Sequence, residues 1–207
     1  MRTIIITGAS GNLGRAVARA FAADKLVRLD RHAGVDLLDA KSVQAVVEKL
    51  ERVDVLCNIA GGFRMGSPVH ETSDKDWNFL MDLNARTVIN TARAVVPLML
   101  KAGGGKIVNI GAYAAQKGAA QMGAYIASKS AVIRLTETMA AELREKNINV
   151  NCVLPTIIDT PENRAAMPDA DPRRWVAPEA LADVIAFLCS DAARAIHGAA
   201  VPVAGLS

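Results

Sequence analysis

The chain has 207 residues, a net charge of +3 and a hydrophobic fraction of 51%, and few of its residues are aromatic. This length suits one well-buried domain, residues 1–207, and is too short for two domains of ordinary size. The lysines and arginines are scattered among acids, which argues against nucleic-acid binding, and no apolar run approaches the length of a membrane span. The chain opens directly into a predicted strand, so we expect no signal peptide and a cytoplasmic protein.

The cysteines predict a reducing environment. Cys57, Cys152 and Cys189 lie far apart in apolar segments, which is typical of buried, reduced thiols. Neither they nor the three histidines have the spacing of metal ligands. We therefore expect no metal site.

The amino-terminal segment carries the first functional signal. Thr3–Thr7 is a β-branched run that predicts a buried strand, followed by a glycine-rich turn and a helix. In this context the glycines predict a dinucleotide-binding turn, because they let the backbone approach a pyrophosphate at the positive end of the helix. A tight turn without a ligand is the alternative. The predicted cofactor-binding residues of this turn are Gly8, Ser10, Gly11, Asn12, Leu13 and Gly14.

The end of the second predicted strand bears on which dinucleotide is bound. Lys25–Leu29 is followed by Asp30, and an acid at this point can accept a hydrogen bond from a ribose 2′-hydroxyl and repel a 2′-phosphate. NAD is therefore favoured. Arg31 could contact a phosphate instead, which keeps NADP possible, and a solvated acid at the strand end is a third interpretation.

The remaining pattern predicts a Rossmann-type α/β fold, with a mainly parallel seven-stranded sheet and helices on both faces. A possible third strand at Gly34–Leu37 would bring Asp36 and Leu37 to the adenine edge. A later strand ends in Asn58 and runs into small residues, including Ala60 and Gly61, that would let a ligand lie against the backbone. The other predicted elements are helices at Ala40–Arg52, about 74–101, about 123–146 and Pro178–Ser190, and strands at Val53–Asn58, Lys106–Ile110, Ile148–Leu154 and Ala199–Val203.

Tyr125 and Lys129 form the candidate acid–base pair. They lie four residues apart near the start of a long predicted helix, so their side chains share one face. The ammonium favours phenolate, which predicts a tyrosine pKa below its free value of about 10. No serine or threonine lies between Asn109 and Tyr125, so that loop offers no hydroxyl partner. Asn84, among apolar helix residues, either faces solvent or has a buried task.

The motifs together resemble the short-chain dehydrogenase/reductase family over essentially the whole chain. The resemblance rests on the glycine turn, Asp36, Asn58–Gly61, Asn84 seven residues after Trp77, and Tyr125–Lys129. It implies that Tyr125 is the general acid/base, that Lys129 lowers its pKa and holds the nicotinamide ribose, and that Asn84 supports a water-linked proton path. Further cofactor contacts that it implies are Pro155, Thr156 and Ile158.

Two departures from the common family pattern point to one branch. Only two residues separate Gly8 from Gly11, and the usual catalytic serine falls on Ala112. Quinonoid dihydropteridine reductases share both departures, and this sequence is similar to them in Asp159–Arg164, in Met167–Asp171 and in Trp175. It differs from them at Asn84. The substrate-binding residues implied by this resemblance are Ala112, Tyr125, Asn163 and Met167.

The resulting hypothesis is an NAD(P)H-dependent reductase of a small conjugated imine or carbonyl compound, with quinonoid dihydropterin as the best candidate. The irregular segment 155–177 would cover the substrate, because loops at the carboxyl ends of parallel strands form the ligand crevice. A carbonyl reductase or alcohol dehydrogenase with another substrate and a non-catalytic redox sensor are the alternatives. By resemblance we expect a homodimer or homotetramer assembled through the long helices at 74–101 and 123–146.

Overall fold

The computed structural model describes residues 1–207. Six strands form one parallel sheet in the order β2-β1-β3-β4-β5-β6. They are Thr3–Thr7 (β1), Lys25–Leu29 (β2), Val55–Asn58 (β3), Gly105–Ile110 (β4), Ile148–Pro155 (β5) and Ala200–Val203 (β6). The α-helices are Asn12–Ala20 (α1), Ala40–Val47 (α2), Asp74–Met81 (α3), Thr87–Ala102 (α4), Gly123–Leu143 (α5), Pro161–Ala166 (α6) and Pro178–Leu188 (α7).

Alternating side chains of the central strands bind helices to both faces of the sheet. On β1, Ile4 and Ile6 belong to the apolar cluster that includes α1 and α7, whereas Ile5 belongs to the cluster that includes α2, α4 and α5. All three isoleucines are fully buried. Parallel strands that are covered by helices on both faces have nearly continuous apolar sequences, as the central strands of this sheet do. The predicted Rossmann-type architecture is confirmed.

The order of the strands reverses at β1, with β2 on one side and β3 on the other. Ligands of open parallel sheets bind at the carboxyl ends of the strands at such a switch point. Here the two strand ends are joined directly, because the Ala60 N–H donates to Thr7 Oγ1 over 3.0 Å. The loops after β1 and β3 therefore form the floor of one crevice.

The sheet has six strands, and the predicted third strand at Gly34–Leu37 is wrong. The Asp30 carbonyl accepts hydrogen bonds from the N–H groups of Ala33 and Val35, which curls this segment into a turn directly after β2. Val35 and Leu37 are buried against the helical layer that includes α2 and α4. Their alternation resembled a strand, but it arises from packing under the helices.

Several helix boundaries also differ from the sequence prediction. The second helix ends at Val47, earlier than the predicted Arg52. The possible break in the region 74–101 is real: a π-helical turn, Asp82–Arg86, joins α3 to α4. The segment 155–177 is not wholly irregular, because it contains α6 and a β-bridge between Ile158 and Val176.

The three cysteines are buried and free, as predicted. No three His, Cys, Asp or Glu side chains are grouped where they could hold a metal ion. Measured against the length and apolarity that a membrane crossing requires, every helix falls short.

Candidate active site

The glycine turn after β1 brings the start of α1 against the sheet. Gly8 has a φ of +61°, which glycine adopts without strain. A Cβ atom on Gly14 would lie 2.1 Å from the Gly8 carbonyl oxygen, so no larger residue fits there. No side chain caps α1 at Gly11, and the first N–H groups of a helix have no partner within the helix. The turn therefore offers uncapped N–H groups to an anion.

A cleft of about 630 Å³ extends from this turn along the crevice. Its lining includes exposed polar groups from the turn and the end of β2, and apolar side chains from the π-helical region. The predicted cofactor residues that it brings together are Gly8, Ser10, Gly11, Asn12, Leu13, Gly14, Asp30, Arg31, Asp36, Leu37, Ala60 and Gly61. Nine other lining residues were not among the predicted site residues: His32, Val35, Leu38, Ile59, Phe79, Asp82, Leu83, Thr87 and Thr160.

Helical spacing was the signal that could have found some of these missed residues. Phe79, Asp82, Leu83 and Thr87 follow one another at intervals of three, one and four residues, which places them on one helical face. That face lines part of the cleft.

Asp30 joins the glycine turn to the end of β2. Its Oδ2 atom accepts hydrogen bonds from Ser10 N at 2.9 Å and Ser10 Oγ at 2.6 Å, and its Oδ1 atom accepts one from Ala33 N at 2.9 Å. Burial raises the pKa of Asp30, but the bonds from Ser10 and Ala33 outweigh it and the net pKa is lowered. The ionised carboxylate keeps lone pairs that a ribose hydroxyl could use.

Lys129 lies beneath the loop that follows β3. Only 4% of the residue is exposed, and Nζ donates a hydrogen bond to the Ile110 carbonyl oxygen over 2.9 Å. A Cβ atom on Gly61 would lie 3.1 Å from this Nζ atom, so glycine lets the loop pass over the ammonium. Burial lowers the pKa of Lys129 to about 8.

The pKa of Tyr125 shifts in the direction opposite to the sequence prediction. Burial raises it to about 12, since the ring packs against an apolar cluster that includes Ala112. The Lys129 ammonium gives its hydrogen bond to Ile110 and not to the phenol. Tyr125 is consequently a protonated phenol at neutral pH, the form that can donate a proton.

The Asn84 side chain does not face solvent: the residue is only 1% exposed, and its amide makes hydrogen bonds within the protein. Its Oδ1 atom accepts a hydrogen bond from Gly62 N at 2.9 Å, and its Nδ2 atom donates to Gly62 O at 3.1 Å and to Ser128 Oγ at 2.9 Å. The Ser128 hydroxyl donates to the Tyr125 carbonyl oxygen over 2.7 Å. The π-helical turn, a feature frequent at functional sites, thus ties the loop after β3 to the tyrosine helix.

Some predicted residues lie outside the lining of the cleft. Asn58 is buried between strands, where Nδ2 donates to Asn109 Oδ1 over 2.8 Å. Thr156 Oγ1 donates to the Ala204 carbonyl oxygen over 2.9 Å, and Asn163 Nδ2 donates to the Ile158 carbonyl oxygen over 2.7 Å. The full set outside the lining is Asn58, Pro155, Thr156, Ile158, Asn163 and Met167, together with Ala112, Tyr125, Lys129 and Asn84 of the adjoining tyrosine region.

Two residues at the tyrosine were also missed. Ser128 lies three residues after Tyr125 and so on its helical face. Phe63 directly follows the two glycines of the β3 loop, and its ring centroid lies 4.8 Å from that of Tyr125, with 84° between the ring planes. No local pattern pointed to this second contact, because it joins segments far apart in the sequence.

Comparison with known proteins decides the family. A family model described as enoyl-(acyl carrier protein) reductase matches residues 4–205. The chain belongs to the short-chain dehydrogenase/reductase family. Two curated relatives extend over nearly the whole chain. Dehydrogenase/reductase SDR family member 6 of Rattus norvegicus is 30% identical over 237 residues, covering 99% of this chain and 96% of the relative. D-threitol dehydrogenase of Mycolicibacterium smegmatis is 31% identical over 239 residues, covering 99% and 92%.

Solved structures of two dehydrogenases have the same fold. A putative NAD(P)-dependent gluconate 5-dehydrogenase from Beutenbergia cavernae, with bound NADP at low occupancy, is 28% identical with a TM-score of 0.87, covering 99% of this chain and 95% of that one. An NAD⁺-bound xylitol dehydrogenase is 27% identical with a TM-score of 0.87, covering 99% and 98%. The present short-chain dehydrogenase/reductase is accordingly an NAD(P)-dependent oxidoreductase, and its glycine turn and uncapped α1 fit a dinucleotide.

Proposed function

We propose that the protein is an NADH-dependent reductase of a small conjugated imine or carbonyl compound, with quinonoid dihydropterin as the best candidate substrate. One observation supports this choice above the others. Tyr125 packs against the apolar cluster that contains Ala112, and Ala112 occupies the position where the family usually supplies a catalytic serine. The site thus retains a proton donor and lacks a hydroxyl that could polarise a carbonyl.

The side chains around Tyr125 have separate roles in this proposal. A bound reduced nicotinamide supplies the hydride. Tyr125 gives the phenolic proton to the nitrogen or oxygen that gains electron density in the substrate. Lys129, charged below its pKa of about 8, holds the nicotinamide ribose and stabilises the phenolate left behind. Asn84 fixes Gly62 and supports a water-linked path that returns a proton to the site.

Ala112 favours a substrate that is easily reduced. Loss of a hydrogen-bond donor to a developing oxyanion costs about 3–4 kcal/mol in reactions that depend on it. A cross-conjugated dihydropterin is electron-poor and needs less polarisation than an isolated ketone, so proton donation by Tyr125 can suffice. The similarity of Asp159–Arg164 and Met167–Asp171 to dihydropteridine reductases supports the same substrate.

The preference for NADH rests on the ionised Asp30 carboxylate at the cleft. This carboxylate would repel the 2′-phosphate of NADPH, because both groups are negatively charged. Arg31 is exposed beside it and would favour the phosphate. The related structures with NADP and with NAD⁺ make the comparison of both cofactors necessary. A lower KM for NADPH than for NADH would overturn this part of the proposal.

The direct test combines protein, NADH or NADPH, and quinonoid dihydropterin, and follows the nicotinamide absorbance. Tyr125→Phe should lower kcat by about 10²- to 10⁴-fold, the usual contribution of a positioned acid. The chain has only two tyrosines, so Tyr113→Phe is the matched control and should leave kcat unchanged. Turnover of ketones or polyols without dihydropterin turnover would favour the other-substrate alternative, and dinucleotide binding without any turnover would favour a redox sensor.

The remaining elements of the proposal concern the setting of the site. The segment 155–177 covers the substrate, supported by Thr160 in the cleft lining. Assembly as a homodimer or homotetramer uses the helices α3, α4 and α5, and sedimentation would give the oligomeric state. Three free cysteines support a location in the reducing cytoplasm.

A further inference from the structure

Phe63 has a large apolar side chain that is exposed to solvent next to the proposed proton donor, Tyr125. The residue is 55% exposed, yet its ring centroid lies only 4.8 Å from that of Tyr125, with the planes at 84°. Edge-to-face geometry at this distance is a favourable aromatic contact. The contact therefore fixes the orientation of the Phe63 ring while about half of the residue remains open to solvent.

The backbone that carries Phe63 is held on both sides. On the amino-terminal side of Phe63, the backbone of Gly62 forms two hydrogen bonds with the Asn84 side chain, of 2.9 and 3.1 Å. After Phe63, the Arg64 guanidinium forms an ion pair with Asp76 and lies 3.8 Å from the centroid of the Phe79 ring. The loop is therefore anchored by its neighbouring residues rather than by burial of the Phe63 side chain.

A third anchor ties the same loop to the segment that leads into α5. The Gly66 N–H donates a hydrogen bond to the Gln121 carbonyl oxygen over 2.9 Å, and Tyr125 lies on the first turn of α5. The loop and the tyrosine are thus fixed to each other. Rigid presentation of a ring lowers the entropy lost when a ligand binds.

The polar character of the tyrosine region is also informative. Tyr125 packs against the apolar cluster that contains Ala112, Ala115 and Leu154, and the nearby hydroxyls of Ser128 and Ser130 donate to the backbone carbonyl oxygens of Tyr125 and Ala115. A site for a polyol or sugar would need several polar side chains to replace the water lost from its hydroxyls. A flat conjugated ring needs instead an aromatic surface and a proton donor at its edge.

We propose that Phe63 is a specificity-determining residue, whose ring stacks on a flat, conjugated heterocycle bound next to Tyr125. This inference rests on the proposed function and deepens it: the preferred substrates are planar heterocycles, and aliphatic ketones and polyols are poor ones. Phe63 acts on substrate binding, and it has no part in the transfer of hydride or proton.

The test separates ring stacking from simple apolar packing. Phe63→Leu keeps an apolar side chain and removes the aromatic face, whereas Phe63→Trp keeps that face. We expect Phe63→Leu to raise the KM for quinonoid dihydropterin by roughly tenfold, within the range of a single aromatic stack, with kcat and the Kd for NADH unchanged. Phe63→Trp should restore the KM. Met65→Leu is the matched control, because Met65 is 56% exposed on the same loop, and it should leave the KM unaltered.

A binding measurement keeps the inference distinct from the proposed function. Titration of oxidised pterin into the complex with NAD⁺, followed by pterin fluorescence, gives a Kd that requires no turnover. If the wild-type protein binds pterin and Phe63→Leu weakens that binding roughly tenfold, the inference stands even where quinonoid dihydropterin is not reduced and the proposed function fails. If dihydropterin is reduced but Phe63→Leu changes neither the KM nor the Kd, the inference alone is overturned. Absence of pterin binding to the wild-type protein would also overturn it.

Discussion

The side-chain amide of Asn84 forms two hydrogen bonds with the backbone of Gly62. Its Oδ1 atom accepts from the Gly62 N–H at 2.9 Å, and its Nδ2 atom donates to the Gly62 carbonyl oxygen at 3.1 Å. The same Nδ2 atom also bonds to Ser128 Oγ. Because Asn84 sits in a π-helical turn, one side chain links the helical region 74–102 with the loop after β3 and with α5. Asn84 therefore has a structural role, and the proposed function gives it a catalytic one as well.

Asn84→Ala should therefore affect both stability and turnover. Loss of the three hydrogen bonds leaves buried groups unsatisfied, and we expect the free energy of unfolding to fall by about 1–3 kcal/mol. We also expect kcat to fall by about 10²-fold, the lower end of the contribution of a positioned proton-transfer group. Denaturant unfolding and nicotinamide absorbance measure the two effects.

A second buried asparagine provides the control for Asn84. Asn149 Nδ2 donates to the carbonyl oxygens of Arg194 and Ile196, both over 2.9 Å, away from the cleft. Asn149→Ala should lower stability by a similar amount and leave kcat close to the wild-type value. Equal stability losses with unchanged kcat in both variants would show that Asn84 is structural only.

The pKa of Lys129 predicts how stability depends on pH. Burial lowers this pKa from 10.5 to about 8, so between these values the unfolded chain holds a proton that the folded chain has released. The free energy of unfolding should then rise with pH by about 1.4 kcal/mol per pH unit because of this group. Lys129→Met removes the contribution, and the wild-type protein should gain about 2 kcal/mol relative to the variant between pH 8 and about pH 10.

Denaturant midpoints at several pH values test this prediction. The pH range of these measurements should stop at pH 10. The pKa of Tyr125 is raised from 10.0 to about 12, so between these values the folded chain holds a proton that the unfolded chain has released. The free energy of unfolding then falls as pH rises because of this group. Lys41→Met, at an exposed position on α2, is the control and should follow the wild-type curve. Parallel curves for Lys129→Met and wild type would contradict the burial argument.

Glu162 should oppose dinucleotide binding. Its carboxylate accepts a hydrogen bond from Asn12 Nδ2 over 2.7 Å. Asn12 is the first residue of α1, and we place the pyrophosphate at this amino-terminal end of the helix. Glu162→Gln removes a like charge, and we expect the Kd for NADH to fall roughly threefold at low salt and the difference to shrink at high salt. A fluorescence titration at two salt concentrations gives both values.

Glu179→Gln is the control for Glu162. Glu179 forms an ion pair with Arg19, and neither residue lines the cofactor cleft. The Kd should remain at the wild-type value in this variant. A salt-independent effect of Glu162→Gln would mean that lost contacts, and not charge, are responsible.

Ala112→Ser tests why the site tolerates the loss of the family's usual serine. A hydroxyl at this position should raise kcat/KM for a simple ketone, by up to about 10²-fold if it polarises the carbonyl, and leave quinonoid dihydropterin turnover nearly unchanged. Ala115→Ser, in the same apolar cluster, should not create ketone activity. If neither serine increases ketone reduction, the missing hydroxyl is not what limits the substrate range.

The sequence predicted the parts of the site that depend on short segments. The glycine turn, Asp30 and Gly61 were found because strand, turn and helix follow one another within a few residues, and all of them line the cleft. The pair Tyr125 and Lys129 was found from helical spacing, but the direction of the tyrosine pKa was not. That direction depends on burial by segments that are distant in the sequence.

The failures share one physical cause. Val35 and Leu37 alternate as in a strand, and only the helices packed over them reveal that they belong to a turn. Phe63 looked like an ordinary loop residue because its partner lies 62 positions further along the chain. Local pattern determines which elements form, whereas long-range packing determines which side chains meet.

The ends of the sheet have a consequence for how copies of this protein can associate. With no strand beyond it, β2 exposes one backbone edge, but it is only five residues long and bears the exposed side chains of Lys25 and Arg28. At the opposite edge, β6 contains Pro202, which has no N–H to donate. Short, charged or proline-containing edges resist the addition of foreign strands. Both open edges are thus protected against aggregation by strand pairing.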